Sequence, residues 1–220
     1  MTIDESVHRI EQQIAGRAAL VAVTKTKPVA LLQQAYDAGC RRFGENRVQE
    51  MAEKQPQLPA DVQWHQIGHL QTNKVKYIAP FVSLIESVDS LKLLEEIDRQ
   101  ARKHNRVIDC LLQVYIADEE TKFGLSPQEV TELLNSPALN ELLNIRIVGL
   151  MGIATNTDDK AQIRQEFCNL KMLFESLKSV ERPNVSLHEL SMGMSGDYLI
   201  ALEEGSTMVR VGSAIFGSRQ

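Results

Sequence analysis

Short apolar runs alternate with amphipathic stretches along almost the whole chain. Ile3, Val7, Ile10 and Ile14 recur at helical spacing and predict a lead-in helix over residues 3–16. A Val-rich run predicts a strand over 19–24, closed by Lys25. Pro28 opens a helix through Asp37, at a position where a missing N–H costs nothing, and Gly39 ends it. The same pattern continues with strands over 41–44, 63–67, 81–86, 107–114, 145–151, 186–190 and 207–211. Between them lie helices over 47–54, 71–78, 89–103 (with Asp89 as cap), 126–134, 158–178 and 195–203.

Eight strands separated by helices imply a parallel sheet with right-handed crossovers. Eight units favour closure into an α/β, (β/α)8 TIM-type barrel over an open doubly wound sheet. Neither the dinucleotide-binding glycine fingerprint nor a P-loop is present, so both nucleotide folds lack their phosphate loop. No linker or low-complexity tract interrupts residues 1–220, which read as one domain.

Composition narrows the function classes. With 24 basic against 29 acidic residues and a net charge of −5, the chain offers no basic surface for nucleic acid or an anionic membrane. No apolar run reaches the roughly 18 residues of a membrane helix, and Met1 to Arg9 lack the apolar stretch of a secretory signal. Cys40, Cys110 and Cys168 are widely spaced and odd in number, which reads as reduced, packed thiols in a cytoplasmic protein.

Barrel active sites lie at the C-terminal ends of the strands. There the first strand delivers Thr24-Lys25-Thr26-Lys27. Strand alternation puts Val21, Val23 and Lys25 on one face, so an inward Val21 and Val23 aim Lys25 into the mouth. A lysine amine attacks an aldehyde only when neutral, and from a free value near ~10.4 it needs burial or neighbouring cations to become so. An idle, solvated lysine beside Pro28 is the alternative. In the last strand, Met208 and Arg210 share the inward face, followed by Gly212-Ser213, whose N–H groups and hydroxyl suit a phosphate. The preceding loop, Ser191 to Asp197, is glycine-rich and enters a helix. Either loop alone is an ordinary strand-to-helix turn; adjacent to one another and to Arg210 they point to a phosphorylated ligand.

Six segments carry a resemblance. They are Val21-Ala-Val-Thr-Lys25-Thr-Lys-Pro28, Phe43-Gly-Glu-Asn46-Arg-Val-Gln49-Glu50, Trp64-His-Gln-Ile-Gly68-His-Leu-Gln71-Thr-Asn73-Lys74, Gly149-Leu-Met151-Gly-Ile153, Leu190-Ser-Met-Gly-Met-Ser195 and Arg210-Val-Gly-Ser213-Ala-Ile-Phe-Gly217. In this order, over nearly the whole chain, the sequence resembles the pyridoxal phosphate homeostasis protein family, also called proline-synthase-associated. The resemblance implies the PLP-binding barrel of the alanine racemase N-terminal domain, with pyridoxal 5′-phosphate (PLP) as cofactor. It implies Lys25 as the aldimine lysine, Arg210 facing the pyridine nitrogen, and Ser191, Gly212 and Ser213 as phosphate ligands. It also implies Asn46 near the 3-hydroxyl and Met151 lining the ring. It further implies a role in vitamin B6 and amino-acid/keto-acid homeostasis without robust turnover.

The residues agree with such a role. An arginine only donates hydrogen bonds, so a ring nitrogen facing Arg210 stays unprotonated and stabilises a carbanion poorly. A racemase of the resembled fold takes its opposing tyrosine from a second domain; none is expected here, and Tyr36, Tyr77, Tyr115 and Tyr198 are not visibly placed for that task. The expectation is a monomeric PLP carrier or regulator, with apo-PLP enzymes as recipients. Alternatives are a racemase or lyase of the same fold, a cofactor-free Schiff-base sugar-phosphate enzyme, and a regulatory module whose PLP is structural. His65 and His69 read as packing and loop hydrogen bonding rather than as metal ligands, Trp64 as core, and Gln71, Asn73 and Lys74 as a solvated helix start or a binding point. Glu203-Glu204 is a helix end with no function assigned.

Overall fold

The computed structural model describes residues 1–117, 123–180 and 182–217. Eight parallel strands close on themselves in sequence order: β1 (Ala19–Val23), β2 (Arg42–Glu45), β3 (Gln63–Gln66), β4 (Leu84–Val88), β5 (Ile108–Val114), β6 (Ile145–Gly152), β7 (Val185–Ser191) and β8 (Met208–Val211). β8 returns to β1 with Val21 opposite Arg210. The helices are α1 (Ile3–Ile14), α2 (Val29–Asp37), α3 (Val48–Lys54), α4 (Val75–Ile78), α5 (Leu91–Lys103), α6 (Pro127–Asn135), α7 (Lys160–Leu177), α8 (Tyr198–Glu203) and α9 (Ser213–Phe216).

Local chemistry sets many of these boundaries. Thr2 and Glu5 form a reciprocal capping box on α1, as do Ser126 and Glu129 on α6, so orphan N–H groups are satisfied at both starts. Asp159 caps α7. Strand alternation then splits the apolar residues into two layers. Phe43, Trp64, Leu32, Phe167 and Phe174 pack between strands and helices. Val21, Leu84, Leu111, Val148, Met151 and Met208 fill the barrel interior. Phe43 and Trp64 meet edge to face with centroids 5.9 Å apart, which makes Trp64 core as expected.

The expected barrel and all eight strands are present, with local corrections. The fourth strand begins three residues late, because Phe81 and Val82 donate back to Ile78 and belong to the turn. Ser90, not Asp89, caps α5, and Asp89 instead pairs with His69 at 3.0 Å. The helix expected over 71–78 is a 3₁₀ turn at Thr72–Lys74 followed by α4. α8 starts at Tyr198 rather than Ser195, because residues 193–197 form a turn that the Asp197 carboxylate closes on the Met194 N–H. α9 was not anticipated. Cys40 and Cys110 are buried and Cys168 is half-buried; burial pushes the Cys40 thiol up to about 12 and the Cys110 thiol further. No described helix is long and apolar enough to cross a membrane.

Candidate functional site

A cavity of about 600 Å³ opens at the C-terminal ends of the strands. Its walls bring together Lys25, Asn46, Arg210, Gly212 and Ser213 from the first, second and last strands. The two ends of the sequence meet here only because β1 pairs with β8. Two other anticipated residues lie lower. Met151 and Ser191 stand opposite each other in the β6–β7 ladder, and Ser191 stands opposite Met208. That level is the packed layer beneath the cavity, so neither residue is in its wall. Ile153, two residues on from Met151, takes the wall position.

Ser191 has a different occupation. Its hydroxyl donates to Glu86 Oε2 at 2.6 Å and accepts from an Arg210 terminal nitrogen at 2.5 Å. The second terminal nitrogen of Arg210 donates to the Gly152 carbonyl at 2.9 Å. His65 Nδ1 lies 2.7 Å from Glu86 Oε1, and Glu86 Oε2 lies 3.7 Å from Arg210. His65, Glu86, Ser191 and Arg210 are all buried, and strand alternation puts them inside the barrel. Burial alone raises the Glu86 carboxyl, but the His65 hydrogen bond and the charges of His65 and Arg210 outweigh it and hold Glu86 below its usual range. Glu86 is therefore a carboxylate, and Nδ1 of His65 carries the proton it donates. Burial draws Arg210 below its ordinary value and Glu86 opposes that shift; the guanidinium stays charged. The sequence reading missed Glu86. Its only signal was an acidic residue at an inward position of an otherwise apolar strand.

The rim just beyond β7 and β8 is built from turns. The Ser195 hydroxyl accepts from the Gly212 and Ala214 N–H groups at 3.1 and 3.3 Å. A Cβ on Gly212 would sit 3.2 Å from Val23 Cβ and 3.3 Å from its carbonyl, so this backbone reaches the cavity only without a side chain. Asn46 is fixed from outside the barrel, where Gln66 donates its amide to the Asn46 and Gly68 carbonyls at 3.0 and 2.9 Å. At Gly68 a Cβ would lie 2.7 Å from the Asn46 carbonyl oxygen, which explains the glycine.

Other titratable groups reach the cavity. Lys27 lines it and donates to the Phe216 and Gly217 carbonyls, both at 3.3 Å. His69 lines it, pairs with Asp89, and stacks on Phe123 at 4.1 Å. Tyr115 also lines it, a position that nothing visible in the sequence had given it. Tyr36 instead bonds Asp61, Tyr77 is exposed, and Tyr198 bonds Gln13. Gln71 and Asn73 are exposed at the start of the 3₁₀ turn. Glu203 and Glu204 pair with Arg164 at the surface. Among the described residues no cluster of three metal-ligating side chains occurs.

A family model described as "Alanine racemase, N-terminal domain" matches residues 2–220. The pyridoxal phosphate homeostasis protein of Aquifex aeolicus is 42% identical over 94% of this chain and 91% of its own length. That of Pasteurella multocida is 38% identical over 100% of this chain and 98% of its own. The structure of PipY from Synechococcus elongatus with PLP bound superposes with a TM-score of 0.88 at 37% identity, covering 98% of this chain and 100% of that one. Alanine racemase of Clostridium difficile shares the barrel alone, with a TM-score of 0.81 at 15% identity over 57% of its length. The chain belongs to the pyridoxal phosphate homeostasis protein family, built on the barrel of the alanine racemase N-terminal domain.

Proposed function

We propose that the protein holds PLP at the barrel mouth through Lys25 and acts as a carrier or regulator of the cofactor, working as one monomeric barrel domain. The observation that carries this reading is the placing of Lys25, Arg210 and the Gly212–Ser213 turn around one cavity. PLP bound in the Synechococcus relative supports it. Bound PLP would supply an aldehyde for the Lys25 amine and a ring whose electron-withdrawing power depends on protonation of its nitrogen.

The chain's own groups fit that ligand. The Ser195 and Ser213 hydroxyls line the cavity beside a Gly212 backbone that a Cβ would crowd, and a phosphate there would replace the Ser195 hydroxyl as acceptor of the Gly212 N–H. Asn46 offers an amide at the rim, and Ile153 and Val23 supply apolar wall. Met151 supports that wall from below, and Ser191 acts through Arg210 rather than on the phosphate. Arg210 presents only N–H donors, so a nitrogen facing it accepts a hydrogen bond and gains no proton. Glu86 stands behind the guanidinium and holds it in place, away from where a ring carboxylate would act. Such a site retains an aldehyde better than it turns over amino acids, which suits a carrier that passes PLP to apo-enzymes.

One observation favours a second reading, that of a racemase or lyase: Tyr115 lies in the same cavity wall and offers a second acid or base. The deciding experiment records the visible spectrum of the PLP-loaded protein and of Lys25→Ala, before and after borohydride, then assays amino-acid turnover. A visible band bleached by borohydride, absent in Lys25→Ala, with no turnover above free PLP, is the expected result. A protein that stays colourless with PLP sinks the cofactor assignment. Turnover lost in both Lys25→Ala and Tyr115→Phe would establish the catalyst instead.

A further inference from the structure

Behind the first strand, on the side facing the helices, lies a charged cluster whose residues do not line the cavity. Lys54, on α3, is buried and spends three donors: on the Thr24 carbonyl at 2.8 Å, on Glu45 Oε1 at 2.7 Å and on Glu50 Oε1 at 2.6 Å. Glu50 Oε1 also accepts the Thr26 N–H at 2.6 Å. The Thr24 hydroxyl donates to Glu45 Oε1 at 2.5 Å. The two peptide groups flanking Lys25 are thereby both gripped, one through its carbonyl and the other through its N–H.

The grip coincides with strain. Thr26 has φ +63°, in the left-handed region that a β-branched residue rarely adopts. Such a conformation persists only where its surroundings over-determine it. Glu50 and Lys54 provide that determination, and between their two contacts the chain turns so that Lys25 lines the cavity while Glu45, Glu50 and Lys54 do not.

We propose that Glu50, oriented by Lys54 and Glu45, is a positioning residue for Lys25, holding residues 24–26 in a strained turn that keeps the lysine amine in the cavity. The proposal deepens the PLP reading and rests on it for its meaning. Its geometry can still be tested without PLP.

The test uses two measurements on the full-length protein. The first is the rate of reductive methylation of Lys25 in the PLP-free protein by formaldehyde and cyanoborohydride, mapped by peptide mass spectrometry and normalised to Lys92. The second is PLP affinity from the visible band. Glu50→Ala is expected to change the normalised Lys25 rate at least threefold and to weaken PLP binding about tenfold, the scale of one charge-assisted hydrogen bond. Glu50→Gln keeps an oxygen acceptor for Thr26 and should stay within about threefold of wild type in binding. Adding Thr26→Asn, which tolerates the left-handed region, to Glu50→Ala should recover most of the loss. Wild-type behaviour of Glu50→Ala in both measurements overturns the proposal. So does an equal loss in Glu50→Ala and Glu50→Gln without recovery by Thr26→Asn, since that pattern reports general loosening. Thr26→Asn alone, which leaves the grip intact, keeps the wild-type rate, and a threefold change there also counts against the proposal. A wild type that never binds PLP removes the functional reading, while the methylation rates still decide the positioning.

Discussion

Two charge clusters serve neighbouring strands of the cavity wall, and they differ in construction. Inside the barrel, His65, Glu86 and Ser191 hold Arg210 by its side chain, each partner arriving from a different strand. Outside the barrel, Lys54, Glu45 and Glu50 hold the Lys25 segment by its backbone, and the lysine side chain takes no part in those contacts. The inner cluster sets one carboxylate between a histidine and a guanidinium that cannot lose its proton. The outer cluster sets two carboxylates against one ammonium. Burial, followed by the opposing Lys54 and Thr24 hydrogen bonds, leaves Glu45 above its usual range. One cluster must stay ionised; the other can discharge itself by taking up a proton.

The largest break in this comparison is Glu86→Gln. It removes the stronger of the two counter-charges on buried Arg210 and leaves only Asp197, and the expected loss is about 3–5 kcal/mol in urea unfolding. A loss below about 1 kcal/mol would mean that Arg210 is solvated in some way the hydrogen bonds do not reveal. Lys54→Met should cost less, roughly 2 kcal/mol, because Glu45 can neutralise and the Thr24 carbonyl keeps the Lys27 N–H. If Lys54→Met proves as costly as Glu86→Gln, Glu45 is not relieved by protonation.

Acid sharpens the contrast with the smallest effect. Glu45 binds its proton more tightly folded than unfolded, so its contribution to stability rises as pH falls through its folded value toward the ordinary 4.5. Glu86 binds its proton less tightly folded, so its contribution is complete above 4.5 and is lost as pH falls below it. Each slope is at most about 1.4 kcal/mol per pH unit. Urea midpoints measured from pH 7 to pH 3.5 should show Glu45→Gln removing a gain at the mildly acidic end and Glu86→Gln removing a loss at the acidic end. Parallel curves for the two variants would contradict the assignment.

The barrel was legible because its determinants are periodic. Period-two alternation placed Val21, Met208 and Arg210 inward, and helical spacing placed Val7, Ile10 and Ile14 against the strands. Lys25 and Arg210 were legible as the inward residues at two strand ends. The network beneath Arg210 was not, because His65, Glu86 and Ser191 meet across three strands and no local pattern links them. Phe81 and Val82 look like strand and are held in a turn by Ile78. Lys54 and Glu50 look like an ordinary surface pair four apart on a helix, whereas that face is turned toward the end of β1, with Lys54 buried and Glu50 half-buried. Met151 and Ser191 came from the resemblance alone, since alternation fixes the face a residue occupies and leaves its height along the barrel open; both stand in the layer beneath the cavity.

The pairing of Val21 with Arg210 has a consequence for synthesis. The amine-bearing segment leaves the ribosome early, and the guanidinium and the Gly212 turn leave it late. A partly made chain therefore carries Lys25 without the Arg210 and Gly212 wall, and the cavity around that lysine exists only once β8 has closed against β1.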